Sequence, residues 1–336
     1  MATQHAVAVR EQPLVSVAMV TYNHQSYIAQ AIEGVLAQKT TFPIELIVSD
    51  DKSTDNTAQV IGNLEDDNRE VIKPVYRKKN IGSMANFLDT LSRCKGKYIA
   101  FCDGDDYWTD PYKLQKQIDF LEENPGYVIC AHQTELNEGD LMRSIPNPYL
   151  AKNGELSITD LAVGNLFYTS SVVYRNGMIG QFPDWMYRSP VGDYVLFMLN
   201  ARKGKLKYLP DTMSVYRKHP GGIWHGAPME TVLERWLLVI DLLLTEDFEP
   251  PVKTILRQQR TDTVNVFLEF LLQHKPSEFS GKIMTIVGQD AELLRQWLNK
   301  LTSHSEAYFE LKPRYDSLKN SRLRKYLSYL FPQLKM

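Results

Sequence analysis

Apolar and polar positions in the first hundred residues follow two alternating periods. Leu14 to Thr21 is a β-rich, almost continuous apolar run, which predicts a buried first strand. A polar turn, Tyr22 to Ser26, leads into a segment where Ile28, Ile32, Val35 and Leu36 share one helical face. Ile44 to Ser49 predicts a second strand. Asp50 to Thr57 then supplies carboxylates and capping residues for a helix reaching Leu64. Val71 to Tyr76 predicts a third strand, and Pro74, which cannot donate to a ladder, places it near an edge. After the basic turn Arg77 to Gly82, Ser83 is expected to cap a helix with Met84, Phe87, Leu88 and Leu91 inward. The Tyr98 strand follows. Four strands alternating with three helices imply a right-handed, parallel βαβ sheet covered on both faces.

Beyond Trp108 the pattern is more mixed. Pro111 opens a helix to Glu123 with Leu114, Ile118 and Leu121 on its inner side, and Gly126 to His132 predicts another strand. The polar stretch Thr134 to Asn153 is expected to be a loop over the open edge of a site, and Phe167 to Tyr174 a strand. Asp193 begins a strongly apolar helix, and Lys207 to Leu209 and Met213 to Tyr216 predict two short strands. From Thr231 the chain becomes Leu-rich and helical in Val232 to Leu244, Val252 to Leu272 and Ala291 to Leu301, with Pro250 and Pro251 separating the first two. The tail from Leu318 to Phe331 interleaves apolar residues with Lys319, Arg322, Arg324 and Lys325. Such a basic amphipathic face has two outlets, an anionic membrane surface and the protein's own helices.

A length of 336 residues allows two cores, or one with a helical appendage. The formal net charge of -2 gives no bulk basic field for a nucleic-acid polymer. Cys94, Cys102 and Cys130 are an odd set with no zinc spacing, consistent with a reducing compartment. Residues Met1 to Arg10 lack the apolar core of a secretory signal. The run Trp236 to Leu244 contains Asp241 and is far short of the roughly 20 residues of a membrane span. The expectation is therefore a cytoplasmic protein, with any membrane contact peripheral.

Chemistry concentrates where the Tyr98 strand meets Asp103-Gly-Asp-Asp106. Three carboxyls around one glycine repel each other unless a cation intervenes, which suggests Mn²⁺ or Mg²⁺ held by oxygen ligands; a solvated acidic turn is the alternative. Ligands of open α/β sheets bind beyond the carboxyl ends of the strands. The other strand ends there carry Thr21, Tyr22, Asp50 and Asp51, suited to a base and a ribose. No Gly-rich phosphate loop is present, which argues against dinucleotide enzymes and P-loop NTPases. A diphosphate would then need a metal and side-chain cations. Arg217 and Lys218 offer the cations, while His219 is open to reading as a ligand or as a structural residue, and His225 likewise. Asp193 reads either as an acid in a helix first turn or as a functional carboxylate.

Several motifs in order resemble glycosyltransferase family 2, an inverting family of GT-A fold, over roughly residues 13 to 225. Val17 to Asn23 looks like its opening nucleotide-binding strand and turn, and Val48 to Thr57 like its second signature, with Lys52 where a glycine is usual. Asn80-Ile-Gly82 is similar to the segment before the third helix, although an arginine common there is missing near Ala85 and Asn86. Asp103 to Trp108 fits the metal motif, Gly192-Asp-Tyr194 the base, and Tyr216 to His219 the loop over the diphosphate.

The resemblance implies an α/β GT-A architecture, a Rossmann-like, mostly parallel sheet flanked by helices. It would comprise an extension (1–12), a catalytic domain (13–230, with nucleotide-sugar and acceptor halves meeting at 108/109) and a C-terminal helical region (231–336). It also implies a bacterial-type, surface-polysaccharide enzyme that moves a sugar from a nucleotide-diphosphate donor, most commonly UDP in this family, to a glycan or lipid-linked oligosaccharide. Thr21, Tyr22, Asn23, Asp50, Asp51, Asn80, Asp103, Arg217 and Lys218 would meet the donor, and Asp105 and His219 the metal. Asp193 would be the base, and Asp106 and Trp108 would lie on the acceptor side. A sugar-nucleotide pyrophosphorylase is disfavoured because Thr21 to Gln25 is not a glycine-rich basic loop; a binding module without chemistry remains the non-enzymatic alternative.

Overall fold

The computed structural model describes residues 12–139, 141–144, 154–222 and 227–287, together with positions 293, 296 and 297. Strands β1 (Val15–Thr21), β2 (Ile44–Asp50), β3 (Ile72–Tyr76) and β4 (Tyr98–Phe101) alternate with helices α1 (Ile28–Leu36), α2 (Thr57–Asp67) and α3 (Ser83–Arg93). They lie parallel in the order β3-β2-β1-β4, with β3 and its Pro74 at the edge, as the sequence pattern predicts. Gly82, not Ser83, is the N-cap of α3; Ser83 is its first helical residue. On one face, Val17, Met19, Leu46 and Val48 pack with Ile28, Ile32 and Val35 in a single core. On the other, Phe101 stacks between Phe87 and Tyr174 at 5.6 and 5.7 Å and meets the edge of Phe197 at 6.2 Å.

The second half adds β5 (Tyr107–Trp108), α4 (Lys113–Glu123), β6 (Tyr127–Glu138), β7 (Leu141–Ser144), β8 (Glu155–Leu156), α5 (Ile158–Leu161), β9 (Val173–Arg175), α6 (Asp193–Ala201) and β10 (Lys205–Arg217). The sheet continues β4-β9-β6-β10-β5, with β9 antiparallel to both of its neighbours and β6 parallel to β10. Three expectations are corrected. Thr134 to Glu138 continue β6, and β7 pairs back on it, because backbone pairing with β10 does not depend on the polar side chains there; residues 145–153 lie outside the described set. Of the anticipated 167–174 strand only Val173 and Tyr174 pair, in a strand that runs on to Arg175, since Thr169–Ser171 coil into a 3-10 turn. The two short strands near 210 are one, β10, with register shifts between Leu209 and Ser214 around Pro210, which has no N–H to give.

The described residues fall into two compact units, one within Met1–Ala227 and Leu242–Ile255 and the other within Pro228–Asp241 and Leu256–Met336. Helices α7 (Met229–Leu244), α8 (Pro250–His274) and α9 (Pro276–Val287) occupy the C-terminal part, α9 without having been anticipated. The second unit has its own core of Leu233, Leu237, Val264, Phe267, Leu268 and Leu271 with Phe279, Ile283 and Trp297. The anticipated helix at 291–301 is described only at 293, 296 and 297, and the basic tail at 318–331 lies outside the described residues. No helix among the described residues is long and apolar enough to cross a membrane.

Candidate active site

The acidic turn is built by close approach. A Cβ on Gly104 would sit 2.6 Å from Thr21 Oγ1 and 2.7 Å from its Cβ, so glycine is required by its neighbour at the end of β1. The chain then enters β5, where Trp108 and Tyr107 pair antiparallel with Ser214 and Val215 of β10. That pairing carries residues 217 to 219 onto the acidic turn. The Arg217 N–H donates to Asp106 Oδ1 at 3.0 Å, and its guanidinium donates to the Asp105 carbonyl at 2.6 Å and to Gln30 Oε1. The guanidinium also faces the rings of Tyr107 and Tyr27 at 4.3 and 5.2 Å. Two residues on, His219 Nε2 lies 3.1 Å from Asp105 Oδ2, and His24 Nε2 approaches the same oxygen at 3.8 Å.

One ligand atom from each of His24, Asp105 and His219 falls within 4.8 Å of the others, so these residues fit a divalent cation. Two nitrogens and a carboxylate oxygen suit Mn²⁺ or a neighbouring transition ion better than Mg²⁺, which favours an all-oxygen shell. The local electrostatics agree. Burial holds the His24 imidazole below its usual range, against the pull of Asp105, which favours the neutral ring a metal needs. Burial pushes the Asp105 carboxyl up, but the His219 hydrogen bond and the nearby His24 outweigh it, so the group stays ionised. Asp103 rises well above the carboxylate range through burial, then through Asp105 and Asp193, so all three share one field.

On the nucleotide side, the first two motif turns are stitched together. Asn23, at φ 58°, accepts the Thr54 N–H at 2.8 Å, while its own N–H donates to Ser53 Oγ at 2.9 Å. The His24 N–H donates to Thr57 Oγ1, the Gln25 N–H to Asp55, and the Asn56 N–H to Gln25 Oε1. Asp50 is buried and accepts from the Ser53 N–H and hydroxyl. Asp51 lines the cleft, where its two oxygens accept the N–H groups of Ile81 and Gly82 at 2.8 and 2.9 Å; Asn80 donates to the Asp51 carbonyl. Lys52 adopts φ 63°, the left-handed conformation for which glycine is the usual choice. At the place of the missing arginine, Asn86 lines the cleft, bonding Arg77 and the Ser49 carbonyl.

Asp193 is the first residue of α6 and faces the same cleft. Asn165 and Thr169 both donate to its Oδ2, at 2.9 and 3.3 Å, and fix the carboxylate's orientation. Burial raises its pKa, against the Tyr194 N–H and these two side chains, moving it toward the range of a working base. Gly192 lets α6 begin there: a Cβ would lie 2.5 Å from the Phe87 ring.

The cleft encloses about 920 Å³, and Thr21, Tyr22, Asp51, Asn80, Asp103, Asp105 and Asp193 border it. Asp50, Asn23, Asp106, Trp108, Arg217, Lys218 and His219 are not among its lining residues, although His219 reaches the lining residue Asp105. Asp106 is buried under the Arg217 N–H, the Trp108 indole donates to the Ser170 carbonyl at 2.9 Å, and Lys218 pairs with Glu138 at 2.7 Å. Residue 225 lies outside the described set. Sequence reasoning passed over His24, Asn165, Tyr168, Thr169 and His132. Only His24, directly after the first motif strand and turn, carried a readable signal.

A strand order of this kind, with an acidic turn at its centre and a carboxylate facing it at a helix start, is the GT-A fold. The chain belongs to glycosyl transferase family 2, whose profile it matches over residues 16–188. It is 40% identical over 212 residues to an uncharacterised protein of Mycobacterium tuberculosis, a match covering 63% of this chain and 61% of the relative. The chain thus spans about three fifths of that relative's length. It is 39% identical over 109 residues to the Escherichia coli UDP-Glc:alpha-D-GlcNAc-diphosphoundecaprenol beta-1,3-glucosyltransferase WfaP, covering 32% of this chain and 41% of that one. Among solved structures it resembles the Pyrobaculum calidifontis mannosyltransferase PcManGT in complex with GDP-Man and Mn²⁺. The TM-score is 0.57 at 15% identity, covering 97% of this chain and 86% of the other.

Proposed function

We propose that the protein is an inverting glycosyltransferase that moves a sugar from a nucleotide-diphosphate donor, UDP-linked, to a hydroxyl of a bacterial surface glycan or its lipid-linked precursor. The observation that carries this reading is the pairing of Asp105 and Asp193 across one cleft large enough for a nucleotide sugar. UDP and the lipid-linked acceptor class draw on the likeness to WfaP.

Asp193, oriented by Asn165 and Thr169, accepts the proton of the acceptor hydroxyl as that oxygen forms its bond to the anomeric carbon. The bond from that carbon to the diphosphate oxygen breaks on the opposite face, so the electron pair leaves with the nucleotide and configuration inverts. His24, Asp105 and His219 would hold Mn²⁺, which when bound supplies positive charge for the diphosphate. Arg217 is a positioning residue, holding the Asp105 carbonyl while its guanidinium lies against two tyrosines. Thr21, Tyr22, Asp51 and Asn80 offer the base and ribose a surface already fixed by the stitched turns.

The test is donor turnover in Asp193→Asn, with nucleotide release measured alongside donor affinity. General-base assistance is worth about 10² to 10⁴ in rate, so turnover should drop by that factor while affinity for UDP-sugar with Mn²⁺ holds. Turnover equal to wild type removes Asp193 from the role. A binding module without chemistry would release no UDP from any UDP-sugar when Mn²⁺ is added.

A further inference from the structure

Four carboxyl-bearing residues, Asp51, Asp103, Asp105 and Asp193, line the cleft, and among the described residues no lysine or arginine does. The basic groups beside the acidic turn are committed elsewhere: Arg217 to the Asp105 carbonyl and two tyrosine rings, Lys218 to Glu138. His132, buried on the inner wall, adds no positive charge either. Its Nδ1 lies 2.8 Å from the Gln133 carbonyl oxygen, which can only accept, so Nδ1 carries the proton and Nε2 a lone pair. Burial, with Lys113 behind it, keeps this ring neutral.

Beside Asp193 the wall is aromatic. Tyr168 precedes Thr169, which bonds the Asp193 carboxylate, and its ring lies 4.9 Å from that of Tyr216, tilted by 36°. Phe167 stacks on Tyr208 at 6.2 Å deeper in. Flat π faces edged by hydrogen-bonding groups suit the apolar C–H face of a pyranose ring and bring no positive charge to an anion.

We infer that the acceptor unit bearing the attacking hydroxyl is an uncharged pyranose resting on Tyr168 and Tyr216, and that acceptors whose attacking group is itself a phosphate, or whose ring carries a carboxylate, are rejected. This rests on reading the cleft as a sugar-transfer site. With no lysine or arginine among the described lining residues, an anion beside Asp193 is left unpaired, whereas the donor's diphosphate has the cation position at Asp105.

The experiment first establishes which UDP-sugar the wild-type protein hydrolyses with Mn²⁺; absence of any hydrolysis counts against the transferase reading and is scored separately. With that donor, p-nitrophenyl glycosides of glucose, galactose, mannose and N-acetylglucosamine in both anomers are compared with the glucuronide and with farnesyl phosphate. Transfer to at least one neutral glycoside, and to neither charged acceptor, is expected. Tyr168→Ala should raise the acceptor KM by about tenfold or more, with Tyr168→Phe restoring it. Thermal melts confirm that each variant is folded. Transfer to either charged acceptor, transfer to no neutral glycoside despite donor hydrolysis, or an unchanged acceptor KM in folded Tyr168→Ala would overturn the inference.

Discussion

Lys113 offers a quantitative test of the interior behind the acidic turn. It is the first residue of α4, fully buried, with Nζ 2.8 Å from Gln117 Oε1 and 4.1 Å over the Trp108 ring. Its partner is an amide, not a carboxylate, and burial, only partly opposed by the thiols of Cys102 and Cys130, drops its pKa from 10.5 to about 7. The folded state therefore resists the proton that the unfolded chain takes up readily. Above pH 10.5 both states are neutral and nothing is lost; as pH falls toward 7 the unfolded chain gains the proton first and stability declines; below 7 both are charged and the loss levels off. At 1.36 kcal/mol per unit the full loss is about 5 kcal/mol, of which about 3 kcal/mol falls between pH 9.5 and 7. Lys113→Met keeps an unbranched side chain one atom shorter and removes the titration. Its stability relative to wild type, from urea denaturation of the full chain, should rise by about 3 kcal/mol over that interval. His132, held neutral by burial, does not contribute in that window. A difference between the two proteins that stays flat from pH 9.5 to 7 would refute the reasoning.

Three further outcomes follow from the geometry. Gly104→Ala forces a methyl group against buried Thr21 and should destabilise by about 1–3 kcal/mol, read as a lowered denaturation midpoint; an unchanged midpoint would mean that the turn has room. Lys52→Gly relieves a left-handed backbone that costs about 1–2 kcal/mol in a non-glycine residue, less about 0.5–1 kcal/mol of extra chain entropy, so a slightly higher melting temperature is expected. A lower one would show that the lysine contributes more than its conformation costs. His24→Ala removes a ligand outright and should weaken Mn²⁺ binding by more than the 10–100-fold typical of losing a mere supporting contact; calorimetry giving the wild-type constant would take His24 out of the cation site.

The first half of the sheet is readable from sequence because its strands are uninterrupted apolar runs divided by turn residues. Val15–Thr21 and Ile44–Asp50 are nearly the stretches that hydrophobicity marks. The second half is less legible. A two-residue strand such as β5 has no period to detect, and β10 is carried across Pro210 by pairing that depends on its neighbours. The same limit governs the site. Asp105 and Asp193 are recognisable through their motifs, while Asn23, Asp50 and Asp106, read from sequence as ligand contacts, bond adjoining segments of the chain. A polar residue at a strand end looks identical whether it faces a substrate or its own chain. His24 escapes because its closeness to residues 105 and 219 exists only in three dimensions.

The sequence separation of 114 between Asp105 and His219 bears on the order of assembly. The pair meets only after β10 has inserted between β6 and β5. A nascent chain that has made just the four parallel strands therefore owns Asp105 and His24 without His219. Mn²⁺ captured jointly by all three residues would act as a late reporter of a finished sheet rather than a seed for it, and metal uptake during refolding should trail the return of secondary structure.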